Sequence, residues 1–374
     1  MDPLTHTLTG ACLAETGLKR RSPLAAATLI IAANLPDLDG TCYLHSADLA
    51  FAVRRGWSHG VLAVLLLPVL LTAAMTLVDR RVLRRTSPSL PPARPAVLLA
   101  LSFLGVLVHV LMDWPNSYGV RLLTPFSGRW FYGDALFIAD PWLWLVLGSP
   151  VMLSWVGNRA GVVAAVVVAS GATLAVSLNP LTPDWFTAVW SAWIAAWLAF
   201  RGRLSRTRRP AAAVCAIVVA VAYIGAMIAG SRIAERQARR VAAERGWTVH
   251  EAAAMPLAAQ PLRRDVIVAT PGRYEFVSVN WLLGSVAGVE PRPLARGERG
   301  DPVVNAALAA PFVSGVRAWL RFPAFEVRSL PDGGRRVLIR DARFAVGTPS
   351  GYGVVAIVDL DRAGTPRPGP HPGR

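Results

Sequence analysis

Long apolar runs dominate this chain and limit it to folds that keep such runs out of water. A helix needs about 20 largely apolar residues to cross a bilayer. Stretches near that length lie at 61–79, 95–112, 135–156, 161–178 and 211–230. A tryptophan-rich run at 185–200 is shorter, and Pro141 and Pro150 make 135–156 prone to a kink. Of the 374 residues, 53% are hydrophobic and only 17% charged, against about a quarter charged in an ordinary soluble domain. The expected fold class is therefore mainly α, a multi-pass transmembrane helical bundle. Trp142, Trp144, Trp155, Trp185, Trp190, Trp193 and Trp197 suit interface belts or helix packing.

The formal net charge is +16, and Lys19 is the single lysine. A basic chain can bind nucleic acid, but here the arginines fall in short connections between apolar runs. That placement points to membrane topology, and no nucleic-acid partner is expected. Two short apolar segments, 3–18 and 22–36, flank Lys19-Arg20-Arg21 and read as a hairpin with a cytoplasmic turn. Alternating the later runs from there puts fourteen basic residues inside: the turn, Arg80, Arg81, Arg84, Arg85, Arg94, Arg159, Arg201, Arg203, Arg206, Arg208 and Arg209. Only Arg54, Arg55, Arg121 and Arg129 fall outside. The expected location is the cell (inner) membrane, with 1–6, 36–59 and 113–134 on the extracytoplasmic side.

Cys12, Cys42 and Cys215 form no CxxC pair and imply no disulfide framework. The N-terminus has no basic stretch ahead of its apolar residues, so no cleaved signal peptide is expected. The transmembrane domain is assigned to 1–230, and 231–246 reads as a charged linker helix. From about 264 the pattern turns strand-like, with hairpin signals at Pro271-Gly272 and Asp332-Gly333-Gly334. A small soluble β-rich domain is expected at 247–362, followed by a disordered Pro/Gly/Arg tail at 363–374.

Ionisable residues inside or beside apolar runs are costly and usually functional. His109 and Asp113, at i and i+4, share one helix face. They could form a packed hydrogen bond or bind one or two cations. Asp37 and Asp39 follow Pro36, which ends a helix and starts a turn. Two carboxylates there could converge on a cation or form a solvated acidic turn. His6 and His59 lie on the same proposed side. Imidazole with carboxylate ligation suits Zn, with Mn or Fe as alternatives. Six candidates exceed the three protein ligands of a catalytic zinc, so the set leaves room for one metal or two. A two-metal site clamps phosphoester oxygens and activates a water. Arg55 could bind phosphoryl oxygens through its fork or anchor a helix. Asn116 and Tyr118 could orient a ligand or build a turn.

Taken together, MDPLTH at the start, PDLD at 36–39, RGWSH at 55–59, HVLMD at 109–113, NSYG at 116–119 and PFS at 125–127 resemble a known set. They are similar to the motifs of the YdjM/YbcI-like membrane-bound metal-dependent hydrolases. That family looks distantly related to zinc-dependent phospholipase C and P1-type nucleases. The resemblance covers about 1–145 and implies His6, Asp37, Asp39, His59, His109 and Asp113 as metal ligands. Asp140 matches a family-like position less closely, and Asp134 more weakly still. Serine replaces the usual threonine before His59, which keeps a hydroxyl. The expected function is hydrolysis of a phosphoester or lipid-linked substrate by a metal-activated water. Asp37, Asp39 and Arg55 would serve the chemistry, and the bilayer would deliver the substrate. The alternative is a metal-binding transport or regulatory protein without turnover. The near absence of ionisable residues from 161–178 and 211–230 argues against an ion pathway.

Overall fold

The computed structural model describes residues 1–155, 159–200, 209–288, 293–297, 300–345 and 350–367. These residues form two compact units. The first comprises Met1–Leu38, Arg55–Ile228 and Leu257–Gln260. The second comprises Asp39–Arg54, Ala229–Pro256 and the described part of 261–374.

In the first unit, α1 (Pro3–Glu15) is capped by Asp2, whose carboxylate accepts a 3.0 Å bond from the Thr5 amide. A turn through Gly17 leads to α2 (Ala25–Ala32). After α3 (Ala47–Val53), which belongs to the second unit, the chain returns as α4 (Val61–Val78). A π-turn at Asp79–Leu83 continues α4 into α5 (Arg84–Thr86). The remaining helices are α6 (Pro95–Asp113), α7 (Pro141–Trp155), α8 (Arg159–Leu178), α9 (Asp184–Phe200) and α10 (Arg209–Glu244).

Among the described residues, Val61–Thr86, Pro95–Asp113, Arg159–Leu178 and Arg209–Glu244 are long and apolar enough to cross a membrane. The expected span at 135–156 is helical only from Pro141 and has 15 residues, about 22 Å at 1.5 Å per residue. It therefore falls short of a hydrocarbon core of about 30 Å. The run at 185–200 forms a 17-residue helix, also short.

Small residues bring α1, α2 and α6 together. A Cβ on Gly10 would lie 2.7 Å from the Leu29 carbonyl, and one on Gly105 would lie 2.5 Å from the Ala32 Cβ. Glycine at these positions allows close backbone approach, the usual device of helix packing in lipid. Cys12 is buried in the same core, against Leu8, Met112, Leu143 and Leu147.

The second unit contains two antiparallel sheets. In one, β1 (Glu251–Pro256), β2 (Arg263–Ala269), β3 (Arg273–Asn280) and β4 (Ser285–Gly288) lie in sequence order, and β5 (Leu294–Ala295) also pairs with β3. After α11 (Pro302–Ala309) and α12 (Ser314–Trp319), β6 (Pro323–Ser329), β7 (Arg335–Asp341) and β8 (Ser350–Leu360) form the other. Pro271-Gly272 and Asp332-Gly333-Gly334 turn the two hairpins, closing the pairs Ala269↔Tyr274 and Ser329↔Arg335.

The domain boundaries expected from sequence change in three places. The distal part of α10 is no free linker: Ala234, Ala238 and Ala242 form an i, i+4 stripe packed with Val266, Val268, Val277 and Val279. Residues 39–54 leave the helical unit. There Phe51 stacks on Trp319 at 4.6 Å, and the Val316 amide donates to Asp48 Oδ1 at 2.9 Å. Leu257–Gln260 joins the first unit, where the Trp142 indole donates to the Ala259 carbonyl at 3.2 Å. Residues 363–367, expected in the tail, are held in place, as the Arg367 amide donates to the Asp359 carbonyl and its guanidinium pairs with Asp332 at 2.6 Å. Residues 368–374, including His371, lie outside the described residues, as do Arg201, Arg203, Arg206 and Arg208.

Candidate metal centre

Four segments of the first unit converge on one buried point. Beyond α2, Pro36 opens a 3-10 stretch (Leu35–Leu44) that carries Asp37 in its first turn. The last turn of α6 presents His109 and Asp113, and α1 presents His6. His59 precedes Gly60, the residue that caps α4. A Cβ on Gly60 would lie 2.4 Å from the Thr124 carbonyl, so only glycine lets the His59 turn sit that close. His6, His59, His109 and Asp113 are fully buried, and Asp37 is partly so.

The donor atoms are close. His59 Nε2 lies 3.0 Å from His109 Nε2 and 3.1 Å from Asp113 Oδ2. His109 Nε2 is 3.7 Å from Asp113 Oδ2 and 4.0 Å from Asp37 Oδ1, and His59 Nε2 is 3.9 Å from Asp37 Oδ1. Asp37, His59, His109 and Asp113 each offer an atom within 4.8 Å of all the others and form a group that could hold a metal ion. Tetrahedral bonds of about 2.0–2.1 Å to zinc give a ligand–ligand edge of about 3.3 Å. The observed separations bracket that edge.

His6 completes the cluster. Its Nε2 is 3.2 Å from Asp113 Oδ1 and 3.9 Å from Asp37 Oδ2, and its ring stacks on His109 at 3.8 Å. Among the described residues, the buried Nδ1 of His6 has no hydrogen-bond partner. The α-amino group of Met1 also contacts Asp113.

Neighbouring groups set the protonation of the rings. The carbonyl of Ala33 can only accept, so His109 Nδ1 at 2.7 Å donates to it. In the neutral ring this leaves a lone pair on Nε2, the atom facing the cluster. A ligand imidazole oriented by a second-shell carbonyl has this arrangement. Ser58 Oγ sits 2.8 Å from His59 Nδ1 and can accept its proton in the same way. The hydroxyl before His59 thus has a physical role.

Arg55, 1% exposed and at φ +53°, clamps Asp113. Its Nε lies 3.0 Å from Oδ2 and its Nη2 3.2 Å from Oδ1. Its Nη1 donates to Asn116 Oδ1 at 2.7 Å, and its guanidinium sits over the Tyr118 ring at 4.7 Å. The Asn-Ser-Tyr-Gly segment is therefore a turn that holds Arg55. The fork expected to bind phosphoryl oxygens is instead engaged by Asp113 and Asn116.

The structure thus brings together His6, Asp37, Arg55, His59, His109 and Asp113. Asp39 belongs to the second unit, where it pairs with Arg54 at 3.5 Å. The structure does not bring in Asp140, whose Oδ1 accepts from the Trp142 amide at 3.0 Å and Oδ2 from the Tyr223 hydroxyl at 2.9 Å. Asp140 serves as the cap of α7. Asp134 is buried at φ +52° outside the ligand group.

Residues 1–181 match the model of the YdjM inner membrane protein family. That region contains every residue of the cluster. Over 172 residues the chain is 26% identical to the uncharacterized protein YfhP of Bacillus subtilis (strain 168), covering 43% of this chain and 49% of that protein. The chain thus spans about half the length of this curated relative. No solved structure matches it. The family match and the four long apolar helices agree on a membrane location.

Proposed function

We propose that this chain is a membrane-embedded, metal-dependent hydrolase whose site consists of Asp37, His59, His109 and Asp113, with His6 beside them. The observation that supports this most is the convergence of imidazole Nε2 atoms and two carboxylates from four segments, with the His109 lone pair turned inward by the Ala33 carbonyl. With Asp39 and Asp140 engaged elsewhere, the ligand set suits one divalent ion, Zn above Mn or Fe, better than two.

A bound divalent ion would supply Lewis acidity toward a substrate oxygen and ease deprotonation of a water. The protein's own residues account for the rest of the proposal. Arg55 holds the Asp113 carboxylate in a fixed plane and offsets its charge in a buried setting. Asn116 keeps the guanidinium from turning away. The Ala33 carbonyl holds His109 in the tautomer that presents Nε2, and Ser58 can accept from Nδ1 of His59 so that its Nε2 is presented too. Asp37, less buried than the others, is the ligand through which a proton can pass outward. A site within a membrane bundle favours a lipid-linked phosphoester, delivered by lateral diffusion to the extracytoplasmic side.

The test is elemental analysis of the full chain in detergent, beside Asp37→Ala and His109→Ala, followed by a phosphoester screen with and without chelator. Metal in the wild type alone, with chelator-sensitive turnover, supports the proposal. Unchanged metal content in both variants removes the metal site. Full metal loading with no turnover on any phosphoester removes the hydrolase.

A further inference from the structure

The first unit holds a second polar feature, built from the α1–α2 turn and the connection from α4 to α6. A cavity of about 400 Å³ opens there, lined by Lys19, Arg20, Arg21 and Arg94 together with Leu24, Leu83 and Leu90. Its size lies within the range of small-ligand pockets, roughly 300–1,000 Å³. The turn is ordered by a cross-link: the Arg94 amide donates to the buried Ser22 Oγ at 2.9 Å.

The nearby carboxylates are already engaged. Glu15 pairs with Lys19 at 2.6 Å. Asp79 is buried, lies 3.5 Å from Arg84 Nε and accepts from the Ala93 amide at 3.3 Å. Among the described residues, no carboxylate pairs with Arg20, Arg21 or Arg94, and all three are exposed. Three guanidinium forks around one concavity form an anion site, and phosphate oxygens suit that fork geometry.

Two placements indicate where the anion comes from. The Val61–Thr86 span ends at this connection and the Pro95–Asp113 span begins at it, so the cavity lies at the level of lipid headgroups. The lining leucines would contact the glycerol and first methylenes while the arginines reach the phosphate. Basic pockets between transmembrane helices bind anionic headgroups in this way.

We propose that this cavity is a binding site for the phosphodiester headgroup of an anionic membrane phospholipid, distinct from the candidate metal centre.

Native mass spectrometry of the full chain, released from mixed phosphatidylglycerol and phosphatidylcholine micelles, reads the retained lipid directly. The wild type is expected to retain phosphatidylglycerol preferentially. The Arg20→Gln/Arg21→Gln/Arg94→Gln variant should retain at least about tenfold less, since each basic residue near an anionic surface contributes on the order of 1 kcal/mol. An Arg80→Gln/Arg81→Gln/Arg85→Gln control removes the same charge from residues outside the cavity and should retain the lipid. Equal loss in both variants, or equal retention of the two lipids by the wild type, overturns the proposal. A parallel arm needs no variant: the melting midpoint of the wild type with phosphatidylglycerol against inorganic phosphate. If phosphate alone raises it as far as the lipid does, the site takes free phosphate and the lipid assignment falls.

Discussion

His59 and His109 point their Nε2 atoms at each other across 3.0 Å. The Ala33 carbonyl fixes the proton of His109 on Nδ1, so His109 brings a lone pair to this contact. If His59 carries its proton on Nε2, it must choose between His109 and Asp113 Oδ2 at 3.1 Å. If it carries the proton on Nδ1, two lone pairs and a carboxylate face one another in a buried space. A cation between them would relieve that repulsion.

The first expected outcome is metal-linked stability. The full chain in detergent should gain thermal stability on adding Zn, and Asp113→Asn should abolish most of the gain. Ligand present at about a thousandfold over its Kd stabilises by about 4 kcal/mol. An equal zinc shift in wild type and Asp113→Asn would place the metal elsewhere.

Arg55 should act through Asp113. Arg55→Lys keeps the charge but loses the fork that spans both carboxylate oxygens, and outer-shell changes of this kind typically cost 10–100-fold in metal affinity or activity. Asn116→Ala should weaken binding by a smaller factor, since it removes the acceptor for Nη1. Competition titration with a chromophoric chelator would read both. If Arg55→Lys binds zinc like the wild type, the positioning role is wrong.

Much of this candidate site was legible because its residues stand in short, local patterns. The i, i+4 spacing put His109 and Asp113 on one face, and Pro36 turned Asp37 away from α2. The folding of 39–54 onto the C-terminal unit was not legible. It depends on Phe51 stacking with Trp319 and Asp48 binding the Val316 amide, contacts between residues more than 250 positions apart that no local pattern announces. The family resemblance offered Asp140 as a weaker ligand candidate, yet an aspartate before Pro141 is also a helix cap, and its carboxylate accepts from the Trp142 amide. Pro141 likewise had the signature of a helix start, which shortened the expected span. The turn made by Asn116 was foreseen as one of two options, but its grip on Arg55 needed the fold.

Gly105 gives a steric test of how α2 and α6 approach. Gly105→Ala places a Cβ 2.5 Å from the Ala32 Cβ, whereas one on Gly171 meets nothing within 4 Å. Overpacking of this kind costs about 1–3 kcal/mol, so Gly105→Ala should lower the melting midpoint and Gly171→Ala should not. Gly105 lies one turn before His109, and Ala33 holds the His109 ring. Zinc affinity should therefore fall with the first variant alone. Equal melting of the two variants would mean that the helices have room to part.

Arginine placement predicts orientation. A reporter fused after residue 205 should be cytoplasmic, and one fused after residue 182 should not. Paired phosphatase and fluorescent-protein fusions read both sites. The reverse pattern would move the candidate metal centre to the cytoplasmic side.

The second unit offers a pH test away from the membrane-spanning helices. Asp341 is fully buried and binds Arg343 through Nε at 2.9 Å and Nη2 at 2.8 Å, with the Arg321 amide at 2.8 Å. Burial alone would raise its carboxyl pKa, but the Arg343 charge and these donors outweigh it and hold the group below its ordinary value. A carboxyl lowered in the folded state stabilises fully above the unfolded value of about 3.9 and loses that contribution as pH falls toward the folded value. Asp341→Asn leaves the buried Arg343 without its charge partner, a change that typically costs about 3–5 kcal/mol. Hydrogen exchange of the full chain, followed on peptides covering 323–341, should be faster in the variant at neutral pH. In the wild type the protection factor should be flat from neutrality to about pH 4 and fall below it. A wild-type decline that begins near neutrality would show that another group, not Asp341, controls the acid stability of this sheet.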